Sequence, residues 1–91
     1  MRVEWSQTAA DELNAIHSRL AETSPDYADR MIDRLTRRAA QIALFPNSGR
    51  VVPEFGLPRV RELIEGPYRV IYRVKTQRVE ILAVLHGARA I

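Results

Sequence analysis

Cysteine is absent from this sequence, which excludes a disulfide framework and every thiolate metal site. A reducing, cytoplasmic setting is the expectation that follows. Long apolar runs are absent too. None approaches the roughly 20 residues a membrane-spanning helix needs, and the opening MRVEWSQ lacks the hydrophobic segment of a signal peptide. We expect a soluble protein with no membrane partner. No glycine-rich phosphate loop, nucleophile motif or metal-ligand spacing occurs, so no cofactor and no metal are expected. Internal repeats, low-complexity tracts and linkers are missing, and 91 residues allow one core but not two. A single domain over residues 1–91 follows.

Lysine is almost missing: Lys75 is the only one, and arginine supplies the rest of the positive charge. Its planar fork suits bidentate contact with carboxylate or phosphate. Arginine in place of lysine is also what a GC-rich genome produces, so distribution tells more than composition. Residues 1–45 carry six Arg against seven Asp and Glu, a net of −1, while residues 46–91 carry seven Arg and one Lys against four Glu, a net of +4. An anionic partner would settle on the second half.

The organising stretch is the last third. Tyr68, Val70, Tyr72 and Val74 alternate with Arg69, Ile71, Arg73 and Lys75, the period of an extended strand with one covered and one basic face. Val79, Ile81, Ala83 and Leu85 then alternate with Glu80, Leu82, Val84 and His86, and the link Lys75-Thr76-Gln77-Arg78 makes the two segments a hairpin. A turn centred on Thr76-Gln77 pairs Val74 with Val79, Tyr72 with Ile81 and Val70 with Ala83. The same register sets Arg73 opposite Glu80, a favourable cross-strand pair, and puts Arg69 diagonally across from His86. Arg69, Arg73, Glu80 and His86 are thus expected on one open face.

Upstream, Arg2-Val3-Glu4-Trp5 reads as a short strand and Ser6 as a helix N-cap. Ala9, Leu13, Ile16 and Leu20 give helix one an apolar stripe to about Ala21. Ser24 caps a second helix, Pro25 fits its first position and Asp26 complements its dipole; Ala28, Met31 or Ile32, Leu35, Ala39 and Ile42 form its stripe. Phe45-Pro46-Asn47-Ser48-Gly49-Arg50 is dense in breakers and ends it. Residues 51–58 read as irregular because Pro53, Gly56 and Pro58 oppose a central strand. Alternation resumes over 59–64, and Glu65-Gly66-Pro67 returns the chain into Tyr68. If Ile64 faces Tyr68, Arg59, Arg61 and Leu63 join the open face and Glu62 points toward the core. A register shifted by one residue is the alternative. The expected fold is α+β, ordered β-α-α-β-β-β, with a helical hairpin packed on one face of a mainly antiparallel sheet.

The order of elements, the Phe45-Pro46-Asn47-Ser48-Gly49-Arg50 exit, Arg61-Glu62-Leu63, Tyr68-Arg69-Val70-Ile71-Tyr72-Arg73 and the ending Leu85-His86-Gly87-Ala88-Arg89 together resemble the RelE/ParE superfamily of bacterial toxins. The likeness spans nearly the whole chain, and the His-Gly-Ala-Arg ending is more similar to the ParE branch, the plasmid-stabilisation proteins. The resemblance implies the toxin of a type II toxin–antitoxin module, neutralised by a cognate antitoxin through which alone it meets operator DNA. ParE relatives act on DNA gyrase; RelE relatives are ribosome-dependent endoribonucleases that cut mRNA.

Under the gyrase reading Arg59, Arg61, Arg69, Arg73 and Arg89 are the candidate target-binding residues. Ile71, Leu82 and Val84, apolar on a face expected to be open, are the candidate antitoxin surface. Under the nuclease alternative Arg69 would steady the phosphate and His86 would serve as general acid. Gly87 stands where such nucleases carry an aromatic residue, and no lysine but Lys75 at the turn reaches the open face. Both departures favour an inhibitor over an enzyme. An inactive relative that only binds its antitoxin is the third reading.

Overall fold

A computed structural model describes residues 1–87. The elements are β1 (Arg2–Trp5), α1 (Gln7–Ala21), α2 (Pro25–Leu44), β2 (Arg50–Val51), β3 (Val60–Glu65), β4 (Tyr68–Val74) and β5 (Arg78–His86). They form a five-stranded sheet in the order β1-β5-β4-β3-β2, antiparallel except where β1 runs parallel to β5. The expected α+β architecture is present, with one added element, the two-residue β2.

Both helices begin where their caps place them. Ser6 Oγ accepts from Ala9 N at 3.0 Å and Ser24 Oγ from Tyr27 N at 3.2 Å, with Pro25 opening α2; each satisfies one of the free N–H groups of a first helical turn. Ala9 and Ile16 of α1, and Ala28, Met31, Leu35, Ala39 and Ile42 of α2, are buried. The stripe uses Met31; Ile32 packs at its margin. Against these helices the sheet lays Leu63, Tyr68, Val70, Tyr72, Val79, Ile81 and Val84.

Two register details depart from expectation. β4 and β5 pair as anticipated next to their turn, with Val74 opposite Val79, Arg73 opposite Glu80 and Tyr72 opposite Ile81, but Ile71 then pairs with Ala83 and leaves Leu82 as an extra residue. This is a β-bulge, which turns the rest of the strand by one position. Val70 therefore faces Val84, not Ala83, and Tyr68 faces His86. The bulge lies where β1 ends. Ser6 N donates to Ile81 O at 2.9 Å, Ser6 Oγ donates to Leu82 O at 3.2 Å, and Val84 N donates to the Glu12 carboxylate at 3.0 Å. Side chains of the cap and first helix thus supply partners that a longer β1 would have given.

The second departure is in β3. Ile64 pairs with Arg69 and Glu65 with Tyr68, so the register is the one shifted by a residue from Ile64 facing Tyr68. Gly66, at φ +56°, permits a two-residue turn there. Leu63 consequently faces the helices, and Glu62 lies on the far side.

That far side is not open. Val52, Val60, Ile71 and Leu85 form a second buried cluster, with Leu82 and Ala83 packed against it. The segment after β2 folds back over the sheet, with Val52 N bonded to Val60 O at 3.1 Å and Gly56 N to Val52 O at 3.0 Å. Ala83, expected in the helix-side core, belongs to this cluster because the bulge turned it over.

Candidate functional site

β4 is buried at five successive positions, Tyr68 to Tyr72, so its basic residue Arg69 needs charge partners within the protein. It has two. Arg69 Nε donates to Glu62 Oε2 at 3.0 Å, while Nη1 and Nη2 donate to the two oxygens of Glu54 at 3.1 and 3.2 Å in a parallel fork. The Glu62 side chain is 0% exposed and takes a further bond from Arg50 Nε at 2.8 Å. Arg50, Glu62, Arg69 and Glu54 thus form a chain of alternating charge with no net charge. The hydrogen bonds that Arg69 donates, first to Glu54 and then to Glu62, raise its pKa, and Arg69 holds the Glu54 carboxyl below its usual range.

The residues assigned to one open face are divided between two. Arg69 and Ile71 lie beneath the strap that carries Val52 and Glu54. His86 lies on the helix side of the sheet, its ring edge-on to Tyr68 at 5.9 Å between centroids. There it lines an open groove of about 340 Å³ with Glu12, Arg19, Tyr68 and Val84, where Arg19 Nη2 donates to the Tyr68 hydroxyl at 2.8 Å. The expected diagonal meeting of Arg69 with His86 does not occur, because the bulge at Leu82 turns His86 to the other face. Nor do Ile71, Leu82 and Val84 form one exposed patch. Ile71 is buried under the strap, Val84 is buried against the helices, and Leu82 is half-buried at the bulge.

Among the remaining arginines, Arg73 is exposed on the far face and pairs with Glu80 at 2.7 Å. Arg61 is turned to the helix side by the β3 register, where Nη1 donates to Gly49 O at 2.9 Å. Arg59 is exposed just before β3. Arg89 lies outside the described residues.

Glu62 as the partner of a nearby arginine is legible in the sequence; the strap that brings Glu54 to the same guanidinium is not. A signal for a covered far face exists nonetheless, since Ile81 to Leu85 is a continuous apolar run, the pattern of a strand buried on both sides. Tyr72 also has a role that periodicity could not reveal. Its hydroxyl donates to Pro46 O at 2.8 Å and accepts from Gly49 N at 3.0 Å, pinning the Pro46–Gly49 turn to the sheet.

Among the described residues no group of three or more His, Cys, Asp or Glu could hold a metal ion, and no helix is long and apolar enough to cross a membrane. Two helices on a mixed five-stranded sheet, with β1 lying parallel beside the last strand, define a RelE/ParE-type toxin fold. Residues 3–91 match the ParE toxin of the type II toxin–antitoxin system parDE, and the chain belongs to that family. It is 34% identical over 89 residues, 97% of each chain, to Toxin RelE2 of Caulobacter vibrioides. It is also 32% identical over 88 residues to Putative toxin Y4kP of Sinorhizobium fredii, covering 94% of this chain and 88% of that one. The chromosomal ParDE TA system from P. aeruginosa contains a chain that superposes with a TM-score of 0.80 at 26% identity, over 94% of this chain and 95% of that one. The protein is a ParE-type toxin of a toxin–antitoxin module.

Proposed function

We propose that this toxin arrests growth by binding DNA gyrase in the cytoplasm, without catalysis of its own, and that a cognate antitoxin neutralises it and links it to operator DNA. The observation that carries this reading is the separation of Arg69 from His86. A nuclease must place a cation and an acid–base group within reach of one phosphate. Here Arg69 is closed in by two carboxylates and His86 stands on the opposite face of the sheet. Family membership supports the gyrase reading from a second direction, since the match is to ParE. One relative carries a RelE name, which makes ribosome-dependent cleavage the second reading.

Induction of the toxin alone in cells, with and without His86→Ala, separates the two. We expect DNA breaks before any A-site mRNA cut, and growth arrest that survives the substitution. Arrest abolished by His86→Ala in a stably folded protein, with mRNA cuts in the parent, overturns the proposal; loss of a general acid lowers cleavage by roughly 100-fold or more.

A further inference from the structure

At the end of the sheet away from His86, the Pro46–Gly49 turn, the start of β3 and the β4–β5 turn enclose an open pocket of about 270 Å³. Its polar lining among the described residues is Asn47, Arg59, Arg61, Lys75 and Thr76, with no carboxylate. Among the described residues neither Arg59 nor Arg61 has an acidic partner. Arg59 makes no side-chain hydrogen bond there, and Arg61 spends only Nη1 on Gly49 O while its Nε is shut from solvent without an acceptor. Lys75 reaches Glu80 at 3.6 Å, but Glu80 is engaged more closely by Arg73 at 2.7 Å. The pocket therefore gathers two uncompensated guanidinium groups, a loosely paired ammonium, a side-chain amide and a hydroxyl.

We propose that this pocket binds a phosphate group, supplied either by a free phosphoester such as a nucleotide or by a nucleic-acid backbone. Two arginines without an acidic partner among the described residues match a terminal phosphate of charge near −2, whereas one carboxylate would leave a cation uncompensated. A backbone phosphodiester carries −1, and against it a carboxylate is disfavoured by donor number. Planar guanidinium forks with a hydroxyl and an amide beside them supply donors for several phosphate oxygens at once. Among the described residues no aromatic side chain lines the pocket, so recognition is expected at the phosphate and not at a stacked base. The site lies apart from the Arg69 network and is independent of whether gyrase is the target.

The test is calorimetric titration of the full chain at low salt with sodium pyrophosphate, and separately with a 12-nucleotide single-stranded DNA. Arg59→Ala removes a side chain that holds nothing else in place; Arg59→Ala with Arg61→Lys probes the pair while keeping a cation beside Gly49. Arg37→Ala, on α2 and paired with Asp33, controls for net charge. Saturable pyrophosphate binding that falls at least tenfold in Arg59→Ala but less than twofold in Arg37→Ala, with unchanged thermal midpoints, supports the site. If the oligonucleotide shows the same loss and a steep salt dependence, the phosphate is a nucleic-acid backbone; if only pyrophosphate binds, it is a free phosphoester. No saturation by either probe, equal losses in Arg59→Ala and Arg37→Ala, or a glutamate-rich peptide binding where neither phosphate probe does, overturns the proposal.

Discussion

Arg69 and Glu62 sit on neighbouring strands with side chains on the same face of the sheet, and each neutralises the other in an interior where neither could stand alone. The Glu62 side chain is 0% exposed and that of Arg69 9%. This pair, with Glu54 over it, closes the face that would otherwise present the Arg69 guanidinium to an anion. Removing one partner of a buried ion pair strands the other charge, which costs far more than the intact pair contributes.

Glu62→Ala is therefore expected to destabilise the fold by up to about 3–5 kcal/mol, the scale for breaking a buried ion pair, because Arg69 keeps only the partly solvated Glu54 and Arg50 loses its carboxylate. Glu54→Ala should cost clearly less, because that carboxylate is partly solvated and Arg69 keeps Glu62. Replacing the pair together, Glu62→Leu with Arg69→Met, should recover much of the loss. Urea unfolding of the four proteins checks this, and equal midpoints for Glu62→Ala and Glu54→Ala would count against it.

The Tyr72 hydroxyl serves two backbone groups of the Pro46–Gly49 turn. Tyr72→Phe should cost about 1–3 kcal/mol, the penalty for a buried N–H left without an acceptor. Gly49→Ala should cost more, because a Cβ there would stand 2.6 Å from both Glu62 O and the Tyr72 hydroxyl. Thermal unfolding of the two variants gives the order, and a neutral Gly49→Ala would show that the turn is looser than its contacts indicate.

Val70 is fully buried between β3 and β5. Val70→Asp should lower stability by several kcal/mol, since it inserts an unpaired charge. Arg78→Ala removes a half-exposed partner of Glu4 at 3.4 Å and should change little. Coincident denaturation curves for these two would contradict the burial of the helix-side face.

Stability should fall toward acid. Arg69 holds the Glu54 carboxyl, and Arg73 that of Glu80, below the ordinary value of 4.5. A lowered folded-state pKa means that the ionised form favours folding. That contribution is complete above about 4.5 and is lost as pH drops through the folded value. Burial acts oppositely on Tyr72, raising its pKa above 10.0, so its contribution holds below 10.0 and is lost in stronger alkali. Unfolding midpoints of Glu54→Gln and Glu80→Gln should lie below wild type at pH 7 and converge on it below 4.5; a gap independent of pH would remove these two groups from the acid limb.

The local frame of the molecule is set by short stretches of sequence. Ser6, Ser24 and Pro25 mark the helix starts, the 3.6-residue stripes choose the helix faces, and the two-residue period brings Tyr72 to the core with Arg73 opposite Glu80. These follow from neighbours along the chain and need no distant contact. The family resemblance was legible for the same reason, since it rests on the order of elements and short runs such as Tyr68-Arg69 and Pro46-Asn47-Ser48-Gly49. The face that each side chain of the site occupies depends instead on contacts between segments far apart in the chain. The bulge at Leu82 is satisfied by Ser6 and Glu12, 76 and 72 residues away in sequence, and the strap over Arg69 is tied by Glu54 from a segment whose prolines and glycine disguise it. A single residue inserted in one strand turns everything beyond it to the other side. That is why Arg69 and His86, set together by periodicity, are parted by the sheet; Arg61 turns toward Gly49 for a separate reason, the one-residue shift in the register of β3 on β4.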